Sequence, residues 1–251
     1  MRRPLLAVAT ILGSLSALPM QVHAQAAPHC PPGQAPQFVL GIGTLHQRLG
    51  DTMGQPLECE HPSADNGDTL QQTTTGLAYY RAATNAPSFT GGSVHYALVG
   101  GRVEYWRNSS VDPPQPTADE TAYLASVGAQ LEQVDALMAQ LDQSEQLADQ
   151  GRLDEIDVGD LGGLLDGLAA ASRAVGDLEP SGRLTAYHAG LLDALGAGAD
   201  AAETLLRARL TDNADARAAF VAQAEAQSAD SRQLRHAATD AYSLALPVAV
   251  G

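Results

Sequence analysis

The chain has 251 residues, with 29 acidic against 14 basic side chains and a formal net charge of -15. Every basic residue is arginine, which excludes the phosphate-loop lysine, the Schiff-base lysine of aldolase or pyridoxal phosphate chemistry, and the strand lysine of kinases. The acid excess repels phosphate backbones and argues against nucleic acid as a partner.

Residues 1–24 read as an export signal. Arg2 and Arg3 precede an apolar run from Leu5 to Leu18, and Val22-His23-Ala24 places small residues where a signal peptidase reads them. The run is shorter than the about 20 residues that cross a bilayer. The tail from Ala241 to Val250 is also short and is interrupted by Pro247. The processed chain is therefore expected to be secreted, periplasmic or associated with the cell envelope, with no membrane span. In such an oxidising compartment the two cysteines, Cys30 and Cys59, are expected to pair. On the chain-entropy model that closure is worth about 3–4 kcal/mol.

Composition changes across the rigid stretch Asp112-Pro113-Pro114-Gln115-Pro116. Residues 25–112 carry 7 acidic and 4 basic groups and seven of the eleven aromatics, among them the sole tryptophan, Trp106. Residues 117–251 carry 22 acidic and 8 basic groups and are crowded with alanine and leucine. This predicts an α+β chain: a small disulfide-stapled module over 25–112, a Pro-rich linker over 113–116, and an all-α up-down bundle over 117–251.

Within the module, Phe38 to Leu49 fits a short helix closed by Gly50, and Asp65-Asn66-Gly67-Asp68 fits a turn. Thr73 to Arg81 reads as a strand from its β-branched and tyrosine content. Val94 to Val99 and Arg102 to Trp106, joined by Gly100-Gly101, predict a two-residue hairpin. That turn sets Val99 opposite Arg102, Leu98 opposite Val103, Ala97 opposite Glu104, Tyr96 opposite Tyr105 and His95 opposite Trp106. Leu98, Val103, Tyr96 and Tyr105 form the expected core face. The other face, with His95, Trp106 and Glu104, is the candidate ligand surface, and Tyr80 completes the set; an exposed indole there is a platform for sugar rings. The competing expectation is that Trp106 packs beneath the bundle or against the Pro-rich stretch, since large aromatics are mostly buried.

In the second half, Thr117 and Glu120 form a capping box. Leu124, Val127, Leu131, Val134, Met138 and Leu141 follow at alternating steps of three and four, a helical seam. Gly151 is the expected stop. Further helices are expected from Asp157 to Gly176, after Pro180-Ser181 with a bend or break at Gly196 and Gly198, and from Asp212-Asn213 to just before Pro247.

The strings LGDTMGQPLECE, NGDTLQQTTTGLAYYRAATNAPSF and VEYW resemble an exported bacterial module of otherwise unknown function, and are similar to the LGFP repeats of actinobacterial cell-wall proteins. The matching positions are Leu49, Gly50, Gly54, Pro56, Glu58, Asn66, Gly67, Gln71, Gly76, Tyr79 and Tyr80. Cys59, the TTTG run and the absence of tandem copies depart from that pattern. The resemblance spans about residues 38–107 and implies envelope association and contact with wall polymers; it transfers no catalytic residue.

Glu58, Glu60, Asp65 and Asp68, with His61 nearby, are the one carboxylate cluster capable of glycoside hydrolysis, which needs a pair roughly 5 to 9 Å apart. The alternative is a surface loop flanking the disulfide, its Asp and Asn capping turns. EF-hand spacing is absent, as are HExxH and a Glu three residues before His188 or His236. No metal ligand and no cofactor is expected. The sequence thus predicts a secreted, non-enzymatic envelope protein whose partner is a wall glycan or an envelope protein, with a hydrolase at Glu58, Glu60, Asp65 and Asp68 as the rival.

Overall fold

In a computed structural model, residues 27–250 are described; the export signal expected over residues 1–24 lies outside the described residues. Helix α1 spans Leu40–Leu49 and buries Ile42 and Leu45, three positions apart on one side. It ends at Gly50, whose φ of 52° suits glycine, and continues as a 3-10 turn over Gly50–Thr52.

Seven strands build one antiparallel sheet: β1 (His61–Pro62), β2 (Thr69–Gln72), β3 (Leu77–Arg81), β4 (Ala86–Gly91), β5 (Val94–Val99), β6 (Arg102–Trp106) and β7 (Val248–Val250). Their spatial order follows the chain. The strand expected from Thr73 to Arg81 is shorter, because Thr73–Gly76 folds back between β2 and β3. The Thr73 hydroxyl accepts from the amides of Thr75 and Gly76 at 3.3 and 3.0 Å, so it offers the backbone a turn instead of a ladder. Gly76 is required there, since a Cβ would lie 2.0 Å from the Thr90 carbonyl oxygen. Strand β4, which was not foreseen, carries Pro87 opposite Tyr80 and Phe89 opposite Ala78.

The β5–β6 hairpin has the expected register throughout, from Val99 opposite Arg102 to His95 opposite Trp106. Gly100 and Gly101 both have positive φ, at 57° and 81°, as the tight turn requires. Helix α1 covers one face of the sheet, where Ile42, Leu45 and Met53 pack against Ala78, Phe89 and Val103.

Four helices follow: α2 (Ala118–Asp149), α3 (Val158–Gly176), α4 (Thr185–Arg209) and α5 (Ala214–Ala245). Thr117 caps α2 through a complete capping box with Glu120. Val127, Val134, Met138 and Leu141 of the seam are buried. Leu124 and Leu131 pack against the lower core beside Tyr123, Leu184 and Tyr187. Helix α4 runs through Gly196 and Gly198 without the expected break. A Cβ on Gly198 would lie 3.2 Å from the Met138 sulfur, so the glycine lets α2 approach α4 closely. Among the described residues no helix is long and apolar enough to cross a membrane.

The two halves share structure. Past α5 the chain turns at Leu246-Pro247 and enters the sheet, where Ala249 stands opposite Glu104. The buried Glu120 carboxylate accepts from Arg183 Nε at 2.6 Å and from the Ser181 hydroxyl at 2.7 Å. Arg183 also donates to the Gln115 and Ala245 carbonyls, so one guanidinium joins the linker, the start of α2 and the end of α5. Those hydrogen bonds hold the Glu120 carboxyl far below the usual carboxylate range despite its burial.

Candidate functional site

The proposed hairpin surface is closed. Trp106 is fully buried, and His95 is buried beside it with ring centroids 5.5 Å apart. The cover is the chain that follows β6. The indole Nε1–H donates to the Ser110 carbonyl at 2.7 Å, and His95 Nε2 donates to the Asn108 carbonyl at 2.9 Å. The Tyr79 hydroxyl donates to the Val111 carbonyl at 3.1 Å, and burial pushes that phenol up to about 12. Arg81 fixes the far end, donating to Asp112 at 2.7 and 2.6 Å. Residues 107–112 therefore form a strap across this face. Backbone carbonyls occupy the places where a ligand's acceptors would have to sit. Trp106 is thus buried, as large aromatics mostly are, with its indole bonded to Ser110 of this strap.

The other two candidates do not complete a surface. Tyr80 belongs to the opposite face of the sheet, opposite Thr69 and Pro87 in the ladder, and its hydroxyl donates to the Asn85 side chain. Glu104 is half-buried between β5 and β7, opposite Ala97 and Ala249.

The carboxylate cluster is also dispersed into structural work. Asp68 is buried; it accepts from Arg81 Nη1 at 2.8 Å and from the Ala82 amide at 3.0 Å. Burial opposes its ionisation, but the arginine and the amide outweigh it, and the net shift is downward. Glu60 accepts from the Val39 amide at 3.3 Å, which anchors the start of α1, while burial raises its pKa. Asp65 is exposed in the turn.

Glu58 stands apart, and here the structure brings to Glu58 and His61 a residue that the sequence did not connect with them, His29. Cys30 and Cys59 are bonded, 29 positions apart, and Cys59 N–H donates to the Pro28 carbonyl at 3.1 Å. The residue before each cysteine is thereby brought to one place: His29 before Cys30, Glu58 before Cys59. His61 Nε2 lies 3.2 Å from Glu58 Oε1, and His29 Nε2 lies 4.0 Å from Glu58 Oε2. The two imidazoles stack with centroids 3.7 Å apart. One ligand atom from each of His29, Glu58 and His61 falls within 4.8 Å of the others. The expectation of no metal ligand thus meets a two-histidine, one-carboxylate grouping. The missed signal was adjacency: a disulfide between Cys30 and Cys59 necessarily joins their neighbours.

Compared with known proteins, no family model matches the chain, and no curated protein and no solved structure matches it either. The likeness to LGFP repeats rests on the quoted residues alone.

Proposed function

We propose that the protein is an exported, non-enzymatic component of the cell envelope, a rigid body that presents the disulfide-stapled end of its sheet to a wall polymer or envelope protein and uses the bundle as spacer or docking element. The supporting observation is how the rival hydrolytic set is used. Asp68 is paired with Arg81, Glu60 holds the α1 amide, Asp65 lies out in the turn, and Glu58 takes the Gln72 amide and faces His61, so each carboxylate is engaged or placed otherwise than with another of the set. The disulfide suits an oxidising compartment. Contact moves from the covered hairpin to the stapled end, where Val39, Leu40 and Leu57 expose large apolar side chains, Leu40 to 88 %.

The test is co-sedimentation of the full chain with isolated cell envelopes, alongside assay of glycan hydrolysis. Retention that falls in Leu40→Asp and Leu57→Asp, without release of soluble sugar, supports the proposal. Glycan turnover abolished by Glu58→Gln or Asp68→Asn would replace it with the hydrolase.

A further inference from the structure

We propose that His29, Glu58 and His61 form a binding site for a divalent transition-metal ion of the zinc and copper class. The site goes beyond the envelope role and stands whether or not that role is correct.

The donor set is two imidazole nitrogens and one carboxylate oxygen. That combination suits zinc, copper, nickel or iron(II) rather than the all-oxygen ions calcium and magnesium. Three protein ligands with further positions open is the arrangement of exchangeable or reactive zinc rather than of a closed structural centre. The exposure gradient agrees: the Glu58 side chain is 15 % exposed, His61 23 % and His29 49 %. One side of the site is built into the sheet and the other faces solvent.

The built side is held in place before any ion arrives. Glu58 Oε1 accepts from the Gln72 amide at 2.7 Å, and the Glu58 carbonyl accepts from the Gln71 side chain at 2.9 Å. These bonds fix the carboxylate and leave Oε2 toward His29. His61 Nδ1 lies 3.4 Å from its neighbouring Pro62 carbonyl, the outer-shell partner that orients ligating imidazoles. When Nδ1 carries the proton toward that carbonyl, the Nε2 lone pair faces Glu58, so two acceptors stand 3.2 Å apart. A shared cation satisfies that pair, either a proton or a metal ion. The second histidine is what favours the metal. A proton needs one imidazole, yet the disulfide and the Cys59–Pro28 hydrogen bond bring a second to the same carboxylate.

His29 reaches it from a left-handed backbone conformation, φ 60°, which is uncommon for a non-glycine residue. Two nitrogens on one tetrahedral zinc at 2.0–2.1 Å stand about 3.3 Å apart. The stacked rings must fan to meet that geometry, and the exposed His29 is free to swing.

The experiment titrates the oxidised full chain, made without a polyhistidine tag, with Zn(II) by calorimetry and with Cu(II) by electron paramagnetic resonance. One ion should bind per chain, with hyperfine structure from two nitrogens. His29→Ala, His61→Ala and Glu58→Gln should each weaken binding by about tenfold or more, given that even outer-shell losses cost 10–100-fold. His46→Ala and His236→Ala should bind as the parent does. Circular dichroism and an intact disulfide establish that each variant is folded. Binding that survives all three triad substitutions, or no binding by the folded parent, overturns the proposal.

Discussion

Two stacked ring pairs containing histidine lie at this sheet, and their fates differ. His95 lies against Trp106 and is sealed by the strap, its Nε2 bonded to the Asn108 carbonyl and its Nδ1 enclosed without a partner among the described residues. His29 lies against His61 at the stapled edge, half exposed, with the Glu58 carboxylate 4.0 Å from its Nε2. A histidine beside an aromatic ring is thus no mark of a ligand site. What differs is the cover: the strap after β6 encloses the His95 pair, whereas the pair at the disulfide stays part exposed beside a carboxylate.

That contrast can be broken by substitution. The largest effect is expected from Trp106→Ala, which leaves an indole-sized void and an unpaired Ser110 carbonyl. It should lower stability by about 3–5 kcal/mol in a denaturant melt. Replacing Cys30 and Cys59 together by serine should cost about 3 kcal/mol and should also release His29 from Glu58. His29→Ala should lie within about 0.5 kcal/mol of the parent, as an exposed side chain does. If His29→Ala destabilised as much as Trp106→Ala, the two sites would not differ in kind.

A second contrast lies along α2. Glu120 has its pKa lowered by Arg183, Thr117 and Ser181, whereas Glu145 has its pKa raised by burial and keeps Oε1 without a partner among the described residues. A lowered pKa contributes stability above the ordinary value of 4.5 that is lost as the pH falls below it. A raised one works in reverse, favouring the fold at low pH and losing that contribution as Glu145 ionises. Glu120→Gln should therefore destabilise at pH 7 and flatten the acid side of the stability profile. Glu145→Gln should raise the melting temperature at pH 7 by a few degrees, with the gain shrinking toward pH 4. Equal responses at both pH values would contradict these assignments.

Much of the fold was legible because it is encoded locally. The Gly100-Gly101 turn fixed the hairpin register, and Thr117 with Glu120 fixed the start of α2. The His95 and Trp106 face was misread as open because the strap is non-local: Asn108, Ser110 and Val111 cover it through backbone carbonyls, which carry no sequence signal. Strand β7 was hidden for a similar reason, being three residues that gain meaning only beside β6. Gly196 and Gly198 suggested a break, yet α4 is continuous there, with Gly198 packed beside Met138. At the candidate site, Glu58 and His61 were visible as a cluster, but His29 was not, since only the disulfide spans the 29 positions between their cysteines.

The most direct measurement is imidazole NMR of the oxidised full chain during Zn(II) titration. We expect the ring resonances of His29 and His61 to move together and saturate at one equivalent, while those of His95 stay fixed. Movement of His95 with His29 and His61 unperturbed would contradict the assignment of the stapled edge as the ion site.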